Sequence, residues 1–256
     1  MGNNRIQILV TAGDTFESID EVRRITHMAT GRLGSLIADE FTHHGAEVTY
    51  LCGKYSLRPA ENVKQIVEIT GVMELLEAME RLLDSNHFDA LIHSMAVSDY
   101  IVRGITTESD LFCEIEAAIA HISEKEKISS SIEQAIKQAL YTASGKISSD
   151  LETLTVFMDK APKVISIVKK KQPEILLVGF KLLAGASEEE LIDAAERQMQ
   201  NSGSDFVLAN DLDSISGDEH RGLLIDINGV IDRPRTKHEI AQSIARVILG
   251  RLCGGE

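Results

Sequence analysis

Residues 6–11 (IQILVT) run into Thr11-Ala12-Gly13-Asp14-Thr15, and further on Ala29-Thr30-Gly31-Arg32-Leu33-Gly34 opens a segment of helical period over 32–44. The reading of this stretch decides the fold. A short β-branched apolar run bounded by small residues is a buried strand. Leu33, Leu36, Ile37 and Phe41 then fall on one helical face, and Gly45 just beyond suits a C-terminal cap. Residues 47–52 (EVTYLC) follow as a second strand. Strand, helix and strand make one crossover, the unit from which parallel sheets are built.

The same alternation continues outward. Residues 63–69 read as a strand, 73–83 as a helix and 90–93 as the end of another buried strand; 175–180 (ILLVGF), a helix over 188–200 and 206–209 (FVLA) keep the rhythm. Asn228-Gly229 within 223–231 predicts a type I′ hairpin, and an amphipathic helix over 237–252 closes the chain. The expected fold class is therefore α/β, a Rossmann-like, mainly parallel sheet with helices on both faces. One stretch breaks the pattern: 102–144 is rich in Ser, Glu and Ala and too long for an ordinary βα connection. It reads as an inserted lobe or flap, the alternative being two packed helices with no special role. The expected organisation is a single domain over 1–256 with that insertion at about 102–145.

Composition narrows the function classes. The 256 residues are 43% hydrophobic and 26% charged, ordinary globular values. Acidic side chains number 40 against 26 basic, a formal charge of −14, so the summed field repels polyanions and nucleic acid is not an expected partner. Cys52, Cys113 and Cys253 show no CxxC or Cys/His spacing, which fits reduced thiols in a cytoplasmic protein. The N-terminus reads as no signal peptide, and no window approaches the roughly 20 apolar residues that span a bilayer, so neither membrane nor secretion is expected.

Gly13 and the Thr30-Gly31-Arg32-Leu33-Gly34 turn are anion-site candidates, because free N–H groups at a helix start favour phosphate oxygens and glycines allow close backbone approach. Neither is a GxGxxG, so the dinucleotide fingerprint is absent. Asp99, in Ser94-Met95-Ala96-Val97-Ser98-Asp99-Tyr100, should lie at the carboxyl edge of the sheet, as a metal or nucleotide ligand or as a simple cap. Lys146 sits between two polar turns, where a lysine is ordinarily solvated, and Lys160-Ala161-Pro162-Lys163 starts a helix with Pro in its first turn. His27, His43, His44 and His93 form no HExxH or His-x-His group, so no zinc site is assigned and the metal ligands stay unknown.

In order, ILVTAGDT (8–15), IDEVRRI (19–25), TGRLG (30–34), AVSDY (96–100), GKISSD (145–150), KAPKVI (160–165), VGFKL (178–182) and LANDL (208–212) resemble the phosphopantothenoylcysteine synthetase, or phosphopantothenate–cysteine ligase, family of coenzyme A biosynthesis. Any one piece is weak; the ordered set, spread over nearly the whole chain, is specific. FKL and KISS, with no attached flavin-dependent decarboxylase domain, look like the monofunctional form of streptococci and enterococci. The resemblance implies a Rossmann-like sheet with a dimerisation lobe and a homodimer. It implies an enzyme in which the carboxylate of 4′-phosphopantothenate attacks the α-phosphorus of CTP, or alternatively ATP, with Mg2+ assisting. L-Cysteine then displaces the nucleotide from the acyl nucleotidylate.

The residues carried over from that resemblance are Lys146 as the catalytic lysine; Gly13, Thr30, Gly31, Arg32 and Gly34 as the phosphate cradle; Asp99, Pro162, Lys163, Val164, Ile165 and Phe180 as nucleotide contacts; and Asn210 with Ala96 beside the substrate. The chain departs from the pattern at His27, where the family has an Asn that holds the intermediate; an imidazole lacks the amide's paired donor and acceptor. Gln198 and Ser202 stand where many bifunctional members have lysines that contact the base and ribose. The competing readings are a catalytically weakened nucleotide-binding homologue, resting on His27, and a short-chain oxidoreductase. The latter fails because Tyr141 is followed at four residues by Gly145, not by lysine.

Overall fold

The computed structural model describes residues 5–120, 128–142, 147–148 and 150–254. In chain order the elements are β1 (Gln7–Ala12), β2 (Phe16–Ser18), β3 (Arg24–Thr26), α1 (Arg32–His43), β4 (Glu47–Gly53), β5 (Gln65–Ile69), α2 (Val72–Ser85), β6 (Ala90–His93) and β7 (Tyr100–Thr106). There follow α3 (Glu108–Ala120), α4 (Ile128–Ala139), β8 (Thr155–Lys160), a 3-10 turn (Val164–Ile167), α5 (Val168–Lys171), β9 (Leu176–Leu183) and α6 (Glu188–Ser202). The chain closes with β10 (Phe206–Ser216), β11 (Glu219–Asp226), β12 (Gly229–Asp232) and α7 (Lys237–Cys253). They divide between two compact units. The first holds the described residues up to Thr15, then His27–Val97 and those from Lys163 on; the second holds Phe16–Thr26 and Ser98–Pro162.

The first unit is built on an eight-stranded sheet of order β12-β11-β10-β9-β6-β1-β4-β5. β5, β4, β1, β6, β9 and β10 run parallel, and β11 and β12 add an antiparallel edge. Strand alternation sorts the core onto two faces. Ile8, Val10 and Ala12 of β1 pack with Ile37 and Phe41 of α1 and Ile240, Ile244 and Ile248 of α7. On β10, Phe206 and Leu208 join that same cluster, while Val207 and Ala209 turn to the other face against Leu191 and Ala195 of α6. The expected α/β class with helices on both faces is the observed one. β1 sits between β4 and β6, and the chain leaves it toward β4 and returns through α2 to β6. The carboxyl ends of β1 and β6 therefore form the topological switch point, where open α/β sheets bind ligands.

In the second unit β7 and β8 pair antiparallel, and β2 and β3 form a short ribbon. Residues 102–106, expected at the start of the insertion, are strand: their backbone groups are taken up by β8. α3 and α4 supply the helical part, and α3 buries none of its described side chains. In the first unit the Asn228-Gly229 hairpin forms, but not as type I′. Gly229 alone has a left-handed φ, +112°, and no non-Gly described residue has a positive φ. The Asp226 carboxylate accepts the Asn228 N–H at 2.7 Å, which holds the preceding residues in a local side-chain turn instead.

Helix α1 is pressed closely against β1. A methyl group on Gly34 would stand 2.4 Å from Ala12 Cβ, so the first turn of α1 lies on the strand end with room for hydrogen only. Gly250, in α7, has nothing within 4 Å of its would-be Cβ. Gly34→Ala should destabilise by about 1–3 kcal/mol through overpacking, more than the ~1 kcal/mol that alanine gains in helix propensity, and Gly250→Ala should stabilise by up to about 1 kcal/mol. Urea midpoints of the two variants should move in opposite directions; a Gly34→Ala midpoint at or above wild type would refute the close contact.

Candidate active site

Three turns of the first unit converge beyond the carboxyl ends of β1 and β4. Gly13 has φ +81°, open only to glycine without strain, and a Cβ there would stand 1.6 Å from Ser56 Oγ. Gly31 begins α1 in a left-handed conformation, and its would-be Cβ lies 2.9 Å from Ser56 Cβ and 3.3 Å from Gly13 Cα. The turn after β4 is held to them: Ser56 N–H donates to Gly53 O at 2.9 Å and Leu57 N–H donates to Thr30 O at 2.9 Å.

Because the residue preceding α1 is glycine, no side chain caps this helix, and its first turn carries no acidic residue. Arg32 N–H reaches Thr30 Oγ1 at 3.3 Å. The other helices of this unit longer than one turn carry a side-chain cap or an acidic first-turn residue. α6 begins with a Ser187/Glu190 capping box, α7 with Thr236 accepting from Glu239 N–H, and α2 carries Glu74 in its first turn. The start of α1 thus keeps N–H donors and the positive end of the helix dipole for an anion.

The strand β6 supplies the opposite wall of the switch point. Its continuation stays hydrogen-bonded to that of β1: Ala96 N–H donates to Gly13 O at 2.8 Å and Thr15 N–H donates to Ala96 O at 3.0 Å. Beneath this bridge Thr11 Oγ1 lies 2.9 Å from His93 Nδ1 and 3.4 Å from Met95 N. With Oγ1 accepting from the Met95 N–H, its own hydrogen is directed at Nδ1, and the ring proton belongs on Nε2. Burial pushes the His93 pKa down from 6.5 to about 4, so the ring is neutral at physiological pH.

The structure brings Gly13, Thr30, Gly31, Arg32, Gly34 and Ala96 to one place. Phe180, half-buried on β9, packs on the α1 side of the sheet, and Asn210, 5% exposed, lies one strand farther on at the sheet face that Leu208 shares. Lys163 immediately precedes the 3-10 turn and Ile165 lies within it, and the Val164 side chain is buried and so can offer a ligand its backbone only. His27 is exposed ahead of α1. Asp99 and Pro162 belong to the second unit, where Asp99 O accepts the Ala161 N–H at 2.8 Å. Lys146 lies outside the described residues.

Two features escaped the sequence reading. Ser56 is one: its hydroxyl is buried with no hydrogen-bond partner among the described residues. The other is in the second unit, where Asp20 accepts from the N–H groups of Val22 at 2.8 Å, Arg23 at 2.6 Å and Ile147 at 3.1 Å. Arg23 Nη2 in turn donates to Ile147 O at 3.3 Å, so residue 147 is clamped on both sides. Burial opposes ionisation of Asp20, but the three backbone N–H donors outweigh it and hold the carboxyl below its ordinary range. No local spacing could reveal a contact across 127 positions.

A family model described as the DNA/pantothenate metabolism flavoprotein C-terminal domain matches residues 4–110 and 116–252. The coenzyme A biosynthesis bifunctional protein CoaBC of Thermococcus kodakarensis is 34% identical over 93% of this chain and 49% of its own length. The chain thus spans about half the length of that relative. The crystal structure of the DNA/pantothenate metabolism flavoprotein from Streptococcus pneumoniae is 36% identical, with a TM-score of 0.76, covering 96% of this chain and 99% of that one. A mutant of Cab2 in complex with phosphopantothenate-cysteine shares the fold at 15% identity, with a TM-score of 0.64 over 97% of this chain and 89% of that one.

The buried neutral imidazoles set an acid limit on stability. In the unfolded chain His93 takes up a proton near pH 6.5, whereas in the folded protein it resists down to about pH 4, so stability is lost as pH falls through that window. His220, on β11, is lowered to about 4 by burial and then by Lys237, and acts in the same direction. Each contributes a slope of up to about 1.4 kcal/mol per pH unit. Urea titrations between pH 7 and pH 4 should show this fall, and His93→Gln should reduce its slope by about half; an unaltered slope would mean that His93 titrates normally.

Proposed function

The chain belongs to the DNA/pantothenate metabolism flavoprotein C-terminal domain family, and from that premise we propose that it is a phosphopantothenate–cysteine ligase of coenzyme A biosynthesis. The observation that carries the reading is the uncapped start of α1 set against the bridged turns after β1 and β6, at the switch point of a chain alike in sequence to CoaBC over nearly all its length. The Cab2 complex with phosphopantothenate-cysteine, on the same fold, names a ligand of the right chemistry.

In this reading the triphosphate of CTP, with ATP as the alternative, rests its phosphate oxygens on the N–H groups at Gly13 and at the Gly31–Gly34 turn. Fixed donors there meet the charge that builds as the phosphopantothenate carboxylate attacks the α-phosphorus. Lys146 supplies a cation for the same charge, Phe180 and the 163–165 turn lie by the nucleotide, and Asn210 and Ala96 lie by the pantothenate. The cysteine amine then attacks the acyl carbon and releases the nucleotide. Among the described residues no group of three His, Cys, Asp or Glu forms a metal site. A magnesium ion bound to the triphosphate oxygens would offset part of their charge. The working form is a cytoplasmic homodimer, which sedimentation at micromolar concentration tests; no helix among the described residues is long and apolar enough to cross a membrane.

Pyrophosphate release with phosphopantothenate, cysteine and each triphosphate in turn tests the reaction and the nucleotide together. Release that needs phosphopantothenate is the expected result, and its absence with every triphosphate would overturn the proposal. Lys146→Gln should lose roughly a hundredfold in rate, about 3 kcal/mol, at an unchanged melting temperature. His27→Asn should raise product formation by up to about tenfold if one hydrogen bond to the intermediate is restored, with nucleotide affinity nearly constant. Lower activity would assign the imidazole a role of its own.

A further inference from the structure

The other buried serine hydroxyls have partners: Ser35 Oγ donates to Arg32 O at 2.8 Å, Ser202 and Ser204 pair at 2.7 Å, and Ser243 donates to Asp232. Ser56 is 7% exposed and has none among the described residues. A buried hydroxyl left unpaired is costly, so such a group calls for a partner such as a water, an ion or a ligand. Its position supplies the rest. The Ser56 side chain fills the space that Cβ atoms on Gly13 and Gly31 would occupy, so it lies where the turn after β1 meets the glycine that precedes α1. That helix, twelve residues long, starts without a side-chain cap and without an acidic residue.

We propose that Ser56 is a direct phosphate contact, its hydroxyl donating a hydrogen bond to a phosphoryl oxygen of the triphosphate held at the start of α1. The assignment rests on the ligase reading above. The neighbouring backbone N–H groups recruit an acceptor, and the hydroxyl adds one more donor to the same set. In doing so it gives up no bond to any of the described residues. The hydroxyl is covered at Gly13 and Gly31 by residues without side chains, so the proposed contact requires those two turns to move aside on binding.

Calorimetric titration of wild-type protein and of Ser56→Ala with inorganic tripolyphosphate and with CTP, each with magnesium, tests the assignment, with thermal melting of the free proteins alongside. Both affinities should fall about tenfold or more in Ser56→Ala. The melting temperature should hold or rise, because alanine removes a hydroxyl that satisfies nothing in the free protein. Ser56→Cys, similar in shape but a weak donor, should bind weakly as well. Undiminished affinity in Ser56→Ala overturns the Ser56 assignment and leaves the ligase reading standing. So does a large fall in melting temperature or failure to fold, since the hydroxyl would then be structural. A wild-type protein that binds neither tripolyphosphate nor CTP nor, in a parallel titration, ATP overturns both.

Discussion

Backbones meet at the end of β1 more closely than side chains allow. Gly34 of α1 lies on Ala12, Gly31 on Gly13, and Gly53 on the carbonyl of Asp14, each with a would-be Cβ 3.3 Å or less from its neighbour. This approach brings the start of α1 to the strand ends rather than a side chain's width away. It also excludes a Ser, Thr or Asp cap at Gly31, since the position is left-handed and already filled by Ser56. A constraint of packing thereby produces a property of charge. A helix that must start on glycine leaves its first N–H groups to whatever anion arrives.

The other wall of the switch point is rigid for a related reason. Thr11, Met95 and His93 satisfy one another below the surface, and Gly13, Thr15 and Ala96 carry parallel hydrogen bonding past the ends of the strands. The loops that face a ligand are therefore extensions of the sheet. Burial keeps His93 neutral, so the imidazole contributes hydrogen bonding and no charge to this wall near pH 7.

The second unit uses a buried carboxylate where the first uses glycine. Asp20 gathers three backbone N–H groups, two local and one from Ile147, and Arg23 closes on the Ile147 carbonyl. Charge-assisted bonds to the backbone offset the desolvation of that carboxylate and tie two distant stretches of chain together. The residue so clamped is next in sequence to Lys146, to which the family resemblance gives the chemistry.

Much of this was legible in the residues. Period-two and period-3.6 apolar patterns are local, so β1, α1, β4, α2, α6 and α7 could be read within a residue or two of their ends, and the glycine turns at 13 and 31 followed from the same stretch. Where elements ran longer or changed type, as in β10 or in residues 102–106, pairing with a distant strand decided, and no local pattern records it. The type I′ expectation at Asn228-Gly229 failed because the Asp226 side chain competed for the turn. Ser56 and Asp20 were invisible as functional candidates, for a serine in a loop and an aspartate in a polar stretch are ordinary in composition. The sequence by itself determined the alternation of strands and helices and the glycines at the strand end. Only the tertiary structure decided which hydroxyl those glycines would bury unpaired and which carboxylate would reach Ile147, because both depend on contacts between segments far apart in the chain, which periodicity does not encode.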